Sequence, residues 1–355
     1  MTKVLVISNI AASYRIDIYK RFIEQYDCYF LFFNDKTTKH KQIINISDTQ
    51  INNRTIGNFP NTLFNVFKIL NSNVNKFDII INVGLSYSSF CCVLFKPFFR
   101  YKLLNWWGGT ISSETNISYF KKKIRTLNWK FYDGAICYSD LSLKYLESLK
   151  KENKKFTVIG NNTYDPVNTY LKKTKTFDFI NVAFQDKRKN TIIILKAYKL
   201  LKEKISNNIS LIIVGNGPEI NNLIKYSIEH RLDVTFTKNI SPDLVDKYYK
   251  SSRIFIHNAT IDQWPQTYNE ALKNRLPSIV SCSSGISDYY INKNKSVVSY
   301  ETNDYKSLSE IMYNLLENDK LYSSLLADIE VNLDKYNSVT AFTKISILLK
   351  KLQND

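Results

Sequence analysis

Histidine is nearly absent from this sequence. His40, His230 and His257 are the only three, and they lie far apart. A metal site built on histidine is therefore not expected. The five cysteines, Cys28, Cys91, Cys92, Cys137 and Cys282, form no C-x-x-C pair. Most sit in apolar runs, where a free thiol behaves as a small hydrophobe, so a reduced compartment without structural zinc is the plain reading. No long apolar run is uninterrupted either. The most membrane-like stretch, residues 90–107, contains Lys96, Pro97, Arg100 and Lys102, which argues against a spanning helix. Met1-Thr2-Lys3 leads directly into the apolar Val4–Ile7 without a signal-peptide core. A soluble cytoplasmic protein is expected, one that can rest on the inner face of the cell membrane.

Acidic residues are also scarce: 32 Asp and Glu stand against 49 Lys and Arg, for a formal charge of +17. That excess favours an anionic partner, which means a nucleoside diphosphate, an acidic lipid surface or a nucleic acid. The chain lacks the aromatic–basic strand motifs and the recognition helix of nucleic-acid binders, so no nucleic acid is expected. Its first turn after a strand, Ser8-Asn-Ile-Ala-Ala-Ser-Tyr-Arg15, has no G-x-G-x-x-G, which argues against a nicotinamide dehydrogenase.

What is present is alternation. In the first half, apolar strand-sized runs at 3–8, 28–33, 78–82, 101–105 and 134–138 are separated by longer stretches, among them an amphipathic helix over 15–24. In the second half, strands at 179–184, 211–214, 233–236, 253–257 and 278–281 alternate with helices at 191–205, 219–230, 242–249, 265–274 and 305–316. Such alternation implies two parallel sheets with helices on both faces. The chain divides into residues 1–165, a Pro-containing basic linker at 166–177, a second domain at 178–335, and a terminal segment at 336–355. The last carries a basic amphipathic helix over 340–352.

Three segments of the second half carry chemistry. The run Asp262-Gln-Trp-Pro-Gln-Thr-Tyr-Asn-Glu270 follows a strand and opens a helix. Pro265 suits the first turn, and the amides of Gln266, Thr267 and Tyr268 then form a positive helix end fit for phosphate. Glu270 is placed to accept ribose hydroxyls; equally, it complements the helix dipole. Gly215 and Gly217, in Val214-Gly-Asn-Gly-Pro218, either admit a ligand close to the backbone or simply form a tight turn. Lys189, with Arg188, lies in the basic loop Phe184–Asn190 and reads as a phosphate clamp or as solvated charge.

The acid–seven residues–Glu spacing, the Ala-Leu after it and the Leu276-Pro277 strand resemble the signature of retaining glycosyltransferases of family 4, within the glycosyl transferases group 1. The order basic loop, G-x-G turn, acid–seven–Glu, Leu-Pro strand and then 284–288 strengthens the resemblance over residues 179–316. It implies an α/β fold of two Rossmann-like domains facing a central cleft, the GT-B type. It also implies transfer of a sugar from a nucleoside-diphosphate sugar, with no further cofactor and no metal, and with retention at the anomeric carbon. Carried over, Glu270 binds ribose and the amides of Gln266, Thr267 and Tyr268 face the diphosphate. Asp262 lies near the sugar, Lys189 with Arg188 neutralises the leaving group, and Gly215 and Gly217 flank the base and ribose. Two departures stand in this segment: the first acid is Asp rather than Glu, and Pro265 replaces a usual Gly. In the basic loop, Phe184 replaces a usual Arg. A catalytically inactive protein that binds nucleotide or glycan is the alternative they motivate.

The first domain would take the acceptor, a glycan or lipid-linked saccharide of surface-polysaccharide synthesis, with the terminal helix crossing back to it. Arg15 is a candidate for an anionic group there, or a helix-surface Arg. Trp106 and Trp107, beside Gly108 and Gly109, read as a sugar-stacking platform or as core. The basic clusters at 96–102, 121–125 and 150–155 are expected to face an anionic membrane surface, or solvent.

Overall fold

The computed structural model describes residues 1–9, 13–33, 51–54, 59–71, 76–115, 117–149, 154–160, 174–286, 296–335 and 337–354. The chain forms two compact units, Met1–Asp165 with Tyr336–Asp355, and Pro166–Lys335. Residues 166–173 of the expected linker, 161–165 before it, 150–153 of one basic cluster and 287–288 of the turn after Ser284 lie outside the described residues.

The first unit is built on a seven-stranded parallel sheet. Its strands are β1 (Lys3–Ser8), β2 (Asp27–Phe33), β3 (Ile51–Arg54), β4 (Ile79–Val83), β5 (Lys102–Trp107), β6 (Gly134–Cys137) and β7 (Lys155–Val158), in the order β3-β2-β1-β4-β5-β6-β7. Parallel strands covered on both faces must be apolar throughout. Val4–Ile7, Ile79–Ile81 and Leu103–Leu104 are accordingly buried without alternation. Helices Phe59–Leu70, Tyr87–Phe99, Tyr119–Trp129 and Asp140–Leu149 supply Val66, Cys91, Trp129 and Tyr145 to one core cluster with Leu5, Ile80 and Leu103. Helix Ile16–Gln25 packs instead on the last helix, Ser338–Gln353. Phe22 meets Phe342 edge to face at 5.0 Å, and Gln353 Nε2 donates to Thr2 Oγ1 at 2.8 Å.

The second unit repeats the plan with six strands: β8 (Phe177–Val182), β9 (Leu211–Val214), β10 (Val234–Thr237), β11 (Ser252–His257), β12 (Ser278–Ser281) and β13 (Val297–Tyr300). Their order is β10-β9-β8-β11-β12-β13, all parallel. In both sheets the strand order reverses between the first and fourth strands, β1/β4 and β8/β11. In open parallel sheets, the crevice beyond the carboxyl ends at that reversal is where ligands collect.

The membrane-like stretch divides between two elements. Helix Tyr87–Phe99 ends with Arg100 in the left-handed region (φ 52°), its N–H on Lys96 O at 2.9 Å, and β5 begins two residues later. Among the described residues no helix is long and apolar enough to cross a membrane. Four cysteines are buried as core side chains, and burial pushes the thiols of Cys91 (to about 11) and Cys92 upward.

Because helix Ser338–Gln353 belongs to the first unit, its packing is testable apart from the second. Phe342→Ala removes a buried ring, a change worth about 3–5 kcal/mol. Calorimetry should show one unfolding transition moved to lower temperature and the other unmoved.

Candidate functional site

Asp262 is the focus of the second unit's carboxyl edge. After β11 the chain turns back through Asn258–Ile261 and pairs Asp262 with Ser284 as an isolated parallel bridge; Gly285 N donates to Asp262 O at 2.8 Å. Hydroxyls hold the turn: Ser281 Oγ donates to Ala259 O at 2.8 Å and Ser283 Oγ to the same carbonyl at 2.6 Å. A Cβ on Gly285 would lie 2.0 Å from Gln263 O, so the close approach of the two loops needs glycine there.

Three basic side chains converge on the Asp262 carboxylate. Lys189 Nζ donates to Oδ2, Arg188 Nη1 stands 3.6 Å from it, and His257 Nε2 stands 3.3 Å from it. Lys189 and Arg188 come from the loop after β8, while His257 ends β11, so the cluster straddles the strand reversal. The loop after β8 is fixed from several sides. Lys189 N donates to Asp186 Oδ1 at 2.9 Å, Thr260 N to Arg188 O at 2.9 Å, and Asn258 Nδ2 to Asn190 O at 2.7 Å. Arg188 also donates to Ile261 O at 3.1 Å.

Burial of Asp262, whose side chain is 11% exposed, works to raise its pKa. His257 and Lys189 outweigh it and hold the carboxyl well below the usual carboxylate range. His257 is fully buried; burial first and Lys189 second push its pKa down, so the ring is neutral at pH 7. Neither ring nitrogen makes a hydrogen bond of good geometry among the described residues, so His257 stands beside the carboxylate as a neutral, buried ring.

Glu270 lies in helix Gln266–Lys273, and Tyr249 OH sits 3.0 Å from its Oε2 and 3.0 Å from Thr267 O. Pro265 is the residue before the helix rather than its first member. Its φ of −68° is the value proline enforces, so this departure from the family's usual Gly fits the backbone. Of the three amides expected to face a ligand, that of Tyr268 donates to Pro265 O at 3.1 Å and closes a turn. The Tyr268 ring is core. The amides of Gln266 and Thr267 remain as the helix's first two, with no carbonyl four residues back within it. The Gln266 side chain accepts from Asn269 Nδ2 at 3.0 Å, and Asn269 Oδ1 accepts from buried Trp264 Nε1 at 3.0 Å.

Gly215 and Gly217 have a steric reason of their own. Gly215 adopts φ +121°, and Cβ atoms at the two positions would lie 2.0 Å from Ala183 O and 2.3 Å from Gln185 O. The turn after β9 lies directly on the backbone after β8, and Gln185 N donates to Asn216 O at 3.1 Å. Phe184, in the same loop, projects to solvent.

The first unit corrects the acceptor-side expectations. Trp106 and Trp107 are both buried. Successive strand residues point to opposite faces, and both faces of this sheet are covered. Trp107 stacks on Tyr145 at 5.3 Å, so neither ring offers a sugar platform. Gly108 makes room for the Tyr138 ring and Gly109 for the Trp107 ring. Arg15 is not a surface residue: it is 3% exposed, donates to Tyr138 OH and lies over the Trp106 ring at 4.9 Å.

His257, Tyr249, Trp264 and Asn269 were not singled out from sequence. His257 alone left a signal there, a histidine ending an apolar strand five residues before an acid. Its titration carries a testable sign. The unfolded chain takes up a proton near pH 6.5 and the folded chain does so at lower pH, so stability is lost as pH falls below about 6.5. The melting temperature of His257→Gln should fall less than that of the wild type between pH 7.5 and 5.5, by thermal denaturation.

Residues 167–327 match the family model of glycosyl transferases group 1. No curated protein sequence is significantly similar to the chain. Among solved structures, Anabaena HepE in complex with UDP and glucose superimposes with a TM-score of 0.77 at 15% identity, covering 99% of this chain and 100% of that one. The glycosyltransferase from Rickettsia africae gives 0.76 at 16% identity over 100% and 99%. The lipopolysaccharide outer core galactosyltransferase WaaB in its apo form gives 0.72 at 16% over 99% of each. Likeness at these identities is likeness of fold. The glycosyl transferases group 1 match thus falls on the second unit, and the whole chain has the two-domain GT-B fold.

Proposed function

We propose that the chain moves a hexose from a nucleoside-diphosphate sugar, with UDP as the carrier, to a hydroxyl of a glycan or lipid-linked saccharide in surface-polysaccharide synthesis, with retention. The observation that carries this reading is the convergence of Lys189, Arg188 and His257 on Asp262 beyond β8 and β11. UDP is favoured by the complex of Anabaena HepE with UDP and glucose, and the pathway by the WaaB likeness. The resemblance to family 4 supports retention.

In this reading the bond from the anomeric carbon to the diphosphate breaks as the acceptor oxygen bonds to that carbon. Negative charge grows on the departing phosphate. The Lys189 ammonium has three N–H groups, so one can stay on Asp262 while others meet phosphate oxygens. The Gln266 and Thr267 amides add fixed dipoles at the same end of the helix. Arg188 supplies the second positive charge where the family's usual Arg is Phe184. Asp262, held ionised by its neighbours, is a weak base, and the acceptor's proton passes to the departing diphosphate. The carboxylate's part is to orient the sugar and Lys189. Glu270, steadied by Tyr249, accepts the ribose hydroxyls.

Two kinetic outcomes test this. Glu270→Ala should raise the donor KM by about tenfold to a hundredfold, the loss of charged hydrogen bonds worth about 1.5–3 kcal/mol. Steady-state kinetics with an unchanged KM would remove the ribose assignment. Lys189→Ala should lower kcat by about 10²–10³, as removal of a preorganised charge-stabilising donor does, in the same transfer assay. Binding of UDP with no transfer from any donor would leave only the binding protein.

A further inference from the structure

Surface helices of a folded domain normally turn apolar residues inward and polar residues out. Two neighbouring helices of the first unit carry a second apolar stripe that faces out. In helix Tyr119–Trp129, Arg125, Asn128 and Trp129 are buried, while Phe120 (73% exposed), Ile124 and Leu127 (55%) face solvent, followed by exposed Phe131. Their spacing of four, three and four residues keeps them on one side. In helix Tyr87–Phe99, Tyr87 (68%), Phe90, Leu94 and Phe98 (77%) repeat the pattern at three, four and four. The helices belong to one core cluster and contact each other, so the two stripes lie on the same side of the unit.

The charge around them has a single sign. Between Tyr87 and Phe131 the chain has eight basic residues and one acid, Glu114. That acid pairs with buried Arg125 beneath the surface. Lys96 bonds Asp133 at 2.7 Å. Among the described residues, Lys121, Lys122 and Lys123 pair with no carboxylate; Lys123 lies over the Tyr119 ring at 4.8 Å. Lys122, Lys123 and Lys130 line one groove with Tyr119.

From this we infer that the outer face of helices Tyr87–Phe99 and Tyr119–Trp129 docks on a bilayer containing anionic lipid. The Phe, Tyr and Leu side chains enter the headgroup–acyl boundary, and the lysines meet lipid phosphates. Aromatics and aliphatics exposed beside lysines that pair with no carboxylate among the described residues fit that layered surface, apolar within and anionic at its headgroups. A second copy of the chain would set the same lysines against each other.

The test is vesicle co-sedimentation, which needs neither donor nor acceptor and so stands apart from the proposed reaction. Wild-type protein should pellet with phosphatidylcholine vesicles containing phosphatidylglycerol, and not with phosphatidylcholine alone. Lys121→Glu, Lys122→Glu and Lys123→Glu together should weaken partitioning by at least about a hundredfold, from about fivefold per basic residue. Phe98→Ser, Phe120→Ser and Leu127→Ser together should also abolish pelleting. Every changed side chain is exposed, and an unaltered circular dichroism spectrum and melting temperature would verify the fold. Equal pelleting on both vesicle types, none on either, or retention by the Ser variant would overturn the inference. So would a wild-type dimer in light scattering that the Ser variant converts to monomer, which would make the face a self-association surface.

Discussion

A carboxylate with little contact with water must be paired or it will not stay charged; Asp262 is paired with Lys189, with Arg188 Nη1 at 3.6 Å and His257 Nε2 at 3.3 Å from the same oxygen. Lys189 reaches it from the loop after β8, and His257 rises from the end of β11. Those two strands are neighbours in the sheet but lie far apart in sequence, so the ion cluster closes the strand reversal on itself. The neutral His257 matters to the balance. Were it protonated, the fully buried ring would add a charge beside Lys189, and the desolvation of that charge is what holds its pKa down. The cluster therefore persists as one anion, two nearby cations and one neutral imidazole, with a residual positive balance suited to a diphosphate.

Other features of the second unit follow from keeping that cluster in register. The loop after β8 carries Lys189, and it is pressed between two other loops. On one side the turn after β9 approaches so closely that Gly215 and Gly217 leave no room for a Cβ. On the other, Asn258 and Thr260 hold it through the carbonyls of Asn190 and Arg188. Buried Gln185 ties the strand end together, donating to Ala183 O at 3.2 Å and accepting from Thr191 Oγ1 at 2.6 Å. A buried amide of this kind is costly unless satisfied, and here its bonds determine where the next four residues go.

Much of this was legible in the sequence where the physics is local. Continuous apolar runs marked the central strands, because parallel strands covered on both faces have no polar side. Strands β3, β7 and β13 escaped notice: Ile-Asn-Asn-Arg and Lys-Phe-Thr-Val are short and mixed, as edge strands tend to be. Helices Tyr87–Phe99 and Tyr119–Trp129 escaped for a different reason. Apolar residues on the outer as well as the inner face erase the one-sided periodicity by which a helix is recognised. Spacing brought Asp262 and Glu270 to attention, and Lys189 stood out as a cation in a loop. What spacing could not supply was the company they keep, since His257 and Tyr249 enter through the return of the chain in three dimensions. The tryptophans allowed two readings, platform or core, and core is the one the structure shows. Trp106 and Trp107 end a strand beside two glycines, which suits a flexible platform, yet the glycines are there to let rings pack.

Arg15 shows how the first unit handles a similar problem without an acid. Its guanidinium is buried at the carboxyl end of β1, and its contacts are the Tyr138 hydroxyl and the faces of Trp106, Tyr14 and Tyr138. A lysine there would lose the flat face that stacks on indole and the forked donors that reach a phenol. The aromatic rings and the cation thus depend on one another. The tryptophan is held in the core by a charge that stays charged through ring and hydroxyl contacts, and the charge is held at the sheet edge by rings that cannot leave the core. An arrangement of that kind fixes the cation and the indole to each other at the carboxyl edge of the first sheet.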